Sequence, residues 1–500
     1  MWVRPPLGAR REVFEMKSSR FKFLHISLFG ALIANLFILS ATASASELAP
    51  CRIKASENQT VSLGFPIRAE RLAKIIKPKL LVIPFQLKDH PNYIFPMQDT
   101  QDYLEVSQNI LALSSGNSNV EIVIAPTVKT DFTVETMYTL WLNRIDGWDR
   151  KDESISTYGF VRRFIDEHDS SIDFTGIHGV ILYGSRGQDG PPAHIGEAMM
   201  FYKDPLNLYM RPIETNEGTL WNAILTGRHF PVSIITHEIL HLYGLTDLYG
   251  TNTDPGDLSL MAITNEINLT SYEKWILGWL PDSEVQCLNN PSNSSITQVR
   301  FDFSKASQLL VVPDVAGLNL IVETSKVGQS KRLAFYSLDN EKRPPMELFG
   351  PALQGGGSRR MGLIVDDYKS IGSQIVSPRF TLVVSDINET SLSLSLVPNN
   401  LTSSTQFSDL VERAAAAKAA AELKAKQEAE AKAAAELKAK QEAEAKAAAE
   451  AKAAAEAKAK QEAEAKVAAT KKTTITCTKG KLTKKVLAVK PKCPAGYKKK

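Results

Sequence analysis

A short segment near the middle of the chain places two histidines, a glutamate, a glycine and an aspartate at fixed intervals. Histidines four residues apart on a helix lie on one face, so their imidazole nitrogens can reach the same metal ion. Glycine ends a helix cheaply in the left-handed conformation and lets the chain fold back to present the aspartate as a third ligand. The segment reads H-E-x-x-H-x-x-G-x-x-D and comprises His237, Glu238, His241, Gly244 and Asp247.

These spacings predict a zinc site of the hydrolytic kind. A catalytic zinc ion takes three protein ligands and keeps its fourth position for water. Glu238 follows the first histidine directly, so its carboxylate is placed to take a proton from that water as the general base. The short H-E-x-x-H pattern also arises by chance on surface helices, but two more matching positions and an apolar run at 232–235 argue against chance. If Asp247 is not the third ligand, Asp254 and Asp257 are the next candidates.

Several stretches around this segment complete a longer pattern. In their order along residues 79–280 they resemble the immune inhibitor A family of secreted zinc metallopeptidases. In that family the zinc helix leads into a G-L-x-D-L-Y stretch, then a D-L-M-A turn, then a helix that ends in L-G-W-L. The matching pieces here are residues 79–85 (KLLVIPF), 172–184 (IDFTGIHGVILYG), 244–249 (GLTDLY), 260–262 (LMA) and 277–280 (LGWL).

The resemblance implies a metzincin-like catalytic domain and a role for one more residue. Met261 would be the methionine of the turn beneath the metal, an apolar floor for the ligand imidazoles and not itself a ligand. Taken alone, this methionine is better explained as an ordinary core residue. The family usually has glycine at the position of Leu240 and proline at that of Thr246, and often aspartate at that of Gly250, which places the chain on a distant branch. A structural Ca²⁺ ion is a further possibility, to which no residue is assigned.

Other polar residues near these motifs receive no assignment. His178, His194 and His229 are candidates for extra ligands or for a transition-state electrophile, but a lone histidine is more often a satisfied polar residue. Tyr249 and Tyr272 likewise receive no assigned role. Either hydroxyl could stabilise a developing oxyanion, and either ring could simply pack.

The first 45 residues predict a secretory signal peptide. Three basic residues at 17–22 precede an apolar run at 26–39, and small residues follow up to Ala45. The apolar run is too short to span a bilayer comfortably, so we expect no stable transmembrane helix. We expect cleavage after Ala45, with Met16 as an alternative start, and therefore a secreted protein.

The four cysteines of an exported chain predict two disulfides. Cys477 and Cys493 lie in one short tail and are expected to pair. Cys51 and Cys287 would then tie the mature N-terminus to the end of the catalytic region. The alternative is that Cys51 caps the zinc as a latency switch, although no recognisable switch motif surrounds it.

Residues 46–285 mix strands with helices and predict an α/β catalytic domain. The 43% hydrophobic content is ample for a packed core. Residues 194–202 are a candidate for the edge strand that pairs with extended substrate, or for an ordinary edge strand. Before the zinc helix, the predicted elements are strands at 80–85, 120–125 and 179–183 and helices at 100–113 and 158–168.

Residues 286–400 change to an apolar period of two, which predicts a β-sandwich-like module. A glycine-rich loop at 355–358 and two prolines at 344–345 interrupt the pattern. The module holds no catalytic constellation, so substrate docking and structural support are both open as its role. The predicted strands are 299–303, 309–312, 318–322, 332–336, 380–384 and 392–396.

Residues 408–470 repeat a unit close to AKAAAELKAKQEAE and predict one long helix that acts as a spacer. At about 1.5 Å per residue this helix would be a rod of roughly 90 Å. Association as a coiled coil is the alternative, but the repeats offer only Leu423 and Leu437 as large apolar residues, too few for a strong seam. The favourable pairs four residues apart are Glu422 with Lys426, Glu428 with Lys432 and Glu436 with Lys440.

Residues 471–500 form a basic tail that contains eleven lysines and no acidic residue. Because the whole chain carries +4, the first 470 residues carry −7, so the basic character is local. A lysine-rich module closed by a disulfide and placed on a stalk suits attachment to an anionic cell-envelope polymer. Nucleic acid would attract the same charge, but export makes it the lesser partner.

Together these features predict a secreted zinc-dependent endopeptidase, retained at the cell wall by its tail. Its α/β metzincin-like domain would be followed by the β-sandwich-like module, the Ala/Glu/Lys helix and the Cys/Lys-rich tail. Water at the zinc ion, activated by Glu238, would attack a peptide carbonyl of a protein or peptide substrate. The alternative is a catalytically silent envelope adhesin built on a protease fold, and the presence of Glu238 argues against it.

Overall fold

A computed structural model of the chain shows a mixed α/β protein with several sheets and one long C-terminal helix. No helix in the described part of the chain is both long and apolar enough to cross a membrane. Of the signal peptide predicted for residues 1–45, only Ala45 is among the described residues. His194, His229 and Asp254 also lie outside the described residues. The structure describes residues 45–57, 59–92, 95, 97–137, 139, 157–184, 196–202, 211–226, 231–250, 255–262, 267–305, 307–313, 319–327, 330–342, 345–348, 363–365, 368–388 and 390–500.

A mostly parallel sheet lies at the centre of the region that carries the zinc segment. Its strands are β1 (Lys79–Gln86), β2 (Glu121–Ile124), β3 (Val128–Lys129), β4 (Gly179–Gly184), β5 (Gly196–Met200) and β8 (Asn222–Thr226); a small hairpin of β6 (Ile213–Glu214) and β7 (Thr219–Leu220) stands apart. The order is β2-β1-β4-β8-β5, with β3 beside β1. The first four strands of this order run parallel, whereas β5 runs antiparallel to β8 at the edge. Within the candidate segment 194–202, residues Gly196–Met200 therefore form the edge strand among the strands that the structure describes.

Both faces of this sheet are covered by helices, which explains why its central strands are apolar without interruption. Leu80 and Val82 of β1 belong to the same buried cluster as the zinc helix, whereas Leu81 and Ile83 belong to the cluster on the opposite face. The alternation follows from the period of two along a strand. The helices with described bounds in this region are α1 (Ala45–Leu48), α2 (Met97–Leu113), α3 (Thr157–His168), α4 (Val232–Tyr243) and α5 (Ser271–Ile276). We call α4 the zinc helix after its H-E-x-x-H pattern.

Two further sheets pack face to face in the region after α5. The first has the order β14-β13-β12-β11-β9 with β15 beside β13, and the second has the order β10-β18-β17-β16. Phe301 and Leu394 of one sheet share a buried cluster with Val322 and Phe335 of the other, which is the sandwich arrangement. The strands are β9 (Val285–Cys287), β10 (Thr297–Asp302), β11 (Gln308–Val312), β12 (Asn319–Val327), β13 (Ser330–Leu338), β14 (Met346–Leu348), β15 (Leu363–Ile364), β16 (Gln374–Val376), β17 (Phe380–Ile387) and β18 (Ser391–Pro398).

The outer face of the first sandwich sheet is not exposed to solvent but packs against the region of the zinc helix. This face, including Val311 and Tyr336, lies in the same buried apolar cluster as the zinc helix and α5. Strand β9 also pairs in parallel with β11, so it crosses the boundary that the sequence suggested between residues 285 and 286. The β-rich region and the metal region are therefore joined by a continuous core.

Two disulfides form, in the expected pairs. Cys51 is bonded to Cys287 and is fully buried against the sandwich, so the latency switch in which Cys51 caps a metal is wrong. Cys477 is bonded to Cys493 within the tail. The tail is a three-stranded sheet whose eleven lysines are all exposed. Its strands are β19 (Thr473–Lys479), β20 (Leu482–Ala488) and β21 (Lys498–Lys499).

The long helix α6 (Thr405–Thr470) begins three residues before the predicted stalk. The Ser404 side chain caps it by accepting a hydrogen bond from the Phe407 amide, and Leu410 packs against the outer face of the second sandwich sheet. Beyond its first turns the helix is almost entirely exposed. The predicted ion pairs do not form; in their place the lysine precedes its glutamate by four residues, as in Lys424–Glu428, Lys426–Glu430 and Lys438–Glu442.

A buried arginine holds the end of the central sheet. Arg71 is completely inaccessible to solvent, and its guanidinium donates hydrogen bonds to the Asn222 side chain at 2.7 Å and the Phe201 carbonyl at 2.5 Å. Burial lowers the pKa of Arg71 to about 10, so it stays charged at neutral pH. The Asn222 amide in turn donates to the carbonyls of Glu70 and His178, each at 3.0 Å.

We expect Arg71→Met to destabilise the fold by about 3 kcal/mol, because it leaves several buried acceptors without a donor. Urea unfolding measures the change. The matched control is Arg68→Met, since Arg68 is only partly buried and donates to surface carbonyls. Equal losses in the two variants would contradict the anchoring role of Arg71.

Candidate metal centre

The zinc helix ends in a turn that only glycine fits. Gly244 adopts a left-handed φ of 116°, and its amide donates to the carbonyls of Leu240 and His241. A Cβ at this position would come within 3.0 Å of Cγ2 of Ile67, so both the conformation and the packing exclude a larger residue. The turn reverses the chain and brings Asp247 back towards the helix.

The side chains of His237, His241 and Asp247 converge on one point. The Asp247 carboxylate oxygen Oδ1 lies 3.1 Å from Nε2 of His237 and 3.2 Å from Nε2 of His241. The potential ligand atoms of the three residues all lie within 4.8 Å of one another. Both histidines are buried, whereas 42% of the Asp247 side chain is exposed, so the cluster opens to solvent on its carboxylate side.

Each imidazole is held from behind by a backbone carbonyl. Nδ1 of His237 lies 2.9 Å from the Leu260 carbonyl, and Nδ1 of His241 lies 2.9 Å from the Leu245 carbonyl. A carbonyl can only accept, so each Nδ1 carries the proton and donates it. This arrangement leaves both Nε2 atoms to face Asp247, which is the orientation that metal-ligating histidines usually have.

The cluster is strongly coupled electrostatically. Burial alone would lower the pKa of His241, but the hydrogen bond and charge of Asp247, with the charge of Glu238 and the Leu245 carbonyl, raise it to about 9. Burial alone would raise the pKa of Asp247, but the hydrogen bonds and charges of His237 and His241 hold it well below the usual range. The cluster therefore favours a deprotonated Asp247 carboxylate beside a protonated His241 ring.

Two further side chains border the cluster. Glu238 follows His237 on the zinc helix and is half-buried, and its charge acts on His241. The Tyr249 ring lies 6.3 Å from the His237 ring in a stacked orientation and is half-exposed. Of the two tyrosines singled out in the sequence, Tyr249 is the one at the site.

The turn that contains Met261 packs directly against the ligand segment. Met261 is fully buried in the cluster that includes the zinc helix, and its carbonyl accepts a hydrogen bond from the Leu248 amide at 2.8 Å. The preceding residue supplies the Leu260 carbonyl to His237. The turn thus contacts the His237 ring directly and also the residue that follows Asp247.

The remaining candidates lie elsewhere. His178 accepts a hydrogen bond from the Lys79 amide on Nδ1 at 3.1 Å, and burial lowers its pKa, so it is a satisfied structural histidine. Tyr272 is fully buried between aromatic rings, and burial raises its pKa well above the usual value. His194, His229, Asp254 and the side chain of Asp257 lie outside the described residues.

The sequence did not reveal the residues that support the cluster. The carbonyls of Leu245 and Leu260 carry no signal in their side chains, and the burial of Arg71 depends on distant chain segments. One support had a local signature. Thr270 and Glu273 have the spacing of a capping box, and both side-chain bonds of that motif form at the start of α5.

Comparisons with known proteins give matches among solved structures only. No protein-family model matches the chain, and no curated protein matches it. Among solved structures, metalloproteinase-II from Bacteroides fragilis aligns with 46% of this chain at 15% identity and a TM-score of 0.24. The chain spans 57% of that protein's length. A similarity at this TM-score carries no functional conclusion for this chain.

The coupling of His241 to Asp247 predicts a pH dependence of stability in the metal-free chain. A histidine pKa raised from 6.5 to about 9 stabilises the fold fully below pH 6.5, and this contribution disappears as the pH rises through 9. We expect a loss on the order of 1 kcal/mol, because the partly exposed Asp247 is screened by solvent. Urea unfolding with a chelator at pH 6 and pH 9.5 measures it. Asp247→Asn should remove this part of the pH dependence, and an unchanged pH dependence in the variant would contradict the coupling.

Proposed function

We propose that the protein is a zinc-dependent endopeptidase of the metzincin-like kind. The observation that carries this proposal is the convergence of two imidazole Nε2 atoms and one carboxylate oxygen within 4.8 Å, at the end of a helix that also carries Glu238. Three nitrogen and oxygen ligands with an open side are the donor set of catalytic zinc sites. The residues present therefore fit the metal.

His237, His241 and Asp247 would hold the zinc ion. When bound, zinc polarises a substrate carbonyl and lowers the pKa of water, which is the chemistry that peptide hydrolysis needs. His241 must release its proton before it can bind, so binding is coupled to pH. The two backbone carbonyls behind the imidazoles fix the ring orientation in advance. Met261 would close the site from below as a buried apolar contact.

Glu238 would act as the general base and general acid. Its carboxylate would accept a proton from the attacking water and pass that proton to the leaving amine. Its influence on the pKa of His241 supports this role, since it places the Glu238 charge close to the cluster. Tyr249 borders the same side of the cluster and is the described tyrosine best placed to contact a substrate.

A peptide substrate would bind along strand β5. This strand lies at the edge of the central sheet, and no other described strand pairs with its outer side. Its residue Ala198 packs against the cluster that includes the zinc helix, and β5 lies beside that helix. An extended peptide can add to such an edge through backbone hydrogen bonds, which would favour proteins and peptides as substrates.

We expect Glu238→Gln to keep zinc but to lose casein hydrolysis by at least about a hundredfold, because proton transfer typically supplies that much. Metal analysis of the purified variant checks occupancy, and the initial rate with and without a chelator checks activity. Glu217→Gln, an exposed loop variant, is the matched control. Comparable activity in Glu238→Gln would contradict the mechanism. Zinc binding without hydrolysis in the wild type would favour the silent adhesin.

The two disulfides and the basic tail support a function outside the cell. Disulfides persist mainly in oxidising compartments. In the tail, Lys484 lies opposite Cys477 and Lys485 lies opposite Thr476 in the antiparallel register, so lysines project from both faces of the sheet. We propose that this positive field binds an anionic cell-envelope polymer, with α6 as the spacer between the tail and the sandwich.

We expect deletion of residues 471–500 to release the protein from cell-wall preparations while casein hydrolysis stays unchanged. Binding of the full chain should weaken with salt, because the Debye length falls to about 3 Å at 1 M ionic strength. Co-sedimentation with walls measures both effects. The control lacks one repeat of α6 but keeps the tail, and it should stay bound. Continued sedimentation of the tail-deleted protein would assign attachment to the sandwich.

A further inference from the structure

A buried carboxylate stands behind the turn that contains Met261. Glu273 is completely inaccessible to solvent and accepts three hydrogen bonds at 2.8 Å each. One comes from the Thr270 amide, as in the capping box of a helix start, and one comes from the Thr270 hydroxyl. The third comes from the Ser259 hydroxyl, fourteen residues earlier. Capping of α5 does not require this third bond.

The bond to Ser259 leads into the metal site. The Ser259 hydroxyl donates to Glu273 and accepts a hydrogen bond from the Met261 amide at 3.0 Å. Leu260 lies between Ser259 and Met261, and its carbonyl accepts a hydrogen bond from Nδ1 of His237 at 2.9 Å. A path of three hydrogen bonds and one short turn therefore connects the Glu273 carboxylate to the His237 ring.

A second buried carboxylate fixes the helix that carries Glu273. Glu323 projects from β12 of the sandwich, and its Oε2 accepts hydrogen bonds from the Ser271 amide at 2.7 Å and the Tyr336 hydroxyl at 2.8 Å. Burying two carboxyl groups this close together is costly unless each is well paired. Lys274 is the described cation whose charge acts on both carboxylates.

We infer that Glu273 is a positioning residue of the metal site, acting through Ser259 and the Leu260 carbonyl to hold the His237 ring with Nε2 towards the metal. Glu323 then extends this support into the sandwich. The inference rests on the proposed metal site and adds a role for the β-rich region, which is to brace the turn behind His237.

The test is zinc affinity, measured by competition with a chelator at a temperature where every variant is folded. Ser259→Ala is the sharpest variant, because it breaks the link to the turn and leaves the capping box intact. We expect about tenfold weaker zinc binding, as is typical when a partner of a ligand histidine is removed. Glu273→Ala should lose about as much, and the double variant should be no worse than Glu273→Ala.

Two matched controls separate positioning from general loosening. Thr270→Val removes the capping hydroxyl but keeps the bond between Ser259 and Glu273, so its zinc affinity should stay within about twofold of the wild type. Glu323→Gln keeps an acceptor for the Ser271 amide and should also stay within about twofold, whereas Glu323→Ala should approach the Glu273→Ala loss.

Hydrogen exchange provides a readout that needs no metal. The Met261 and Leu248 amides should exchange faster in metal-free Ser259→Ala than in Thr270→Val, because only the first variant releases the turn. Wild-type zinc affinity in Ser259→Ala and Glu273→Ala would overturn the inference, and so would an equal loss in Thr270→Val. A wild-type protein that binds no zinc would overturn the proposed function and this inference with it.

Discussion

An imidazole can present one nitrogen to a metal in a fixed direction only when its other nitrogen is held. In this protein the holding groups are two backbone carbonyls, at Leu245 and Leu260, and each belongs to a chain reversal. The first reversal depends on the left-handed Gly244, and the second depends on the turn around Met261. The packing of the zinc helix against the central sheet, and of α5 against the sandwich, keeps these two reversals in place.

Charged groups are buried where separate chain segments must meet. Arg71 joins the N-terminal segment to the ends of β5 and β8, and Glu323 joins the sandwich to the start of α5. Apolar packing at these junctions would bury surface area but would not fix the relative orientation of the segments. A guanidinium or carboxylate with several partners fixes position and orientation together, at the cost of desolvation.

Structural features that depend on nearby residues could be predicted from the sequence. The zinc helix follows from the spacing of its two histidines, β1 from an apolar run, and the strands of the sandwich from an apolar period of two. Both disulfide pairs follow from elimination among four cysteines. The continuous core between the sandwich and the zinc helix was not predictable in this way, since strand β9 looks like the end of one region and pairs with the next.

Two predictions about α6 were wrong. Glutamate-first pairs are the better choice on an isolated helix, yet α6 forms lysine-first pairs, and we have no physical account of that register. The beginning of α6 was misplaced because Ser404 and Leu410 act through capping and through contact with the sandwich, which composition does not encode. Carbonyl partners of the histidines carry no sequence signal at all.

The bond between Cys51 and Cys287 closes a ring of the chain that contains His237, His241 and Asp247. The two bonded residues are 236 positions apart, and the loops of the central-sheet region lie between them. A cut in any of those loops leaves both pieces in one covalent molecule. Molecules nicked there by a protease would therefore keep their full mass until the disulfide is reduced. Breakage of the chain and dispersal of the fragments are then separate events.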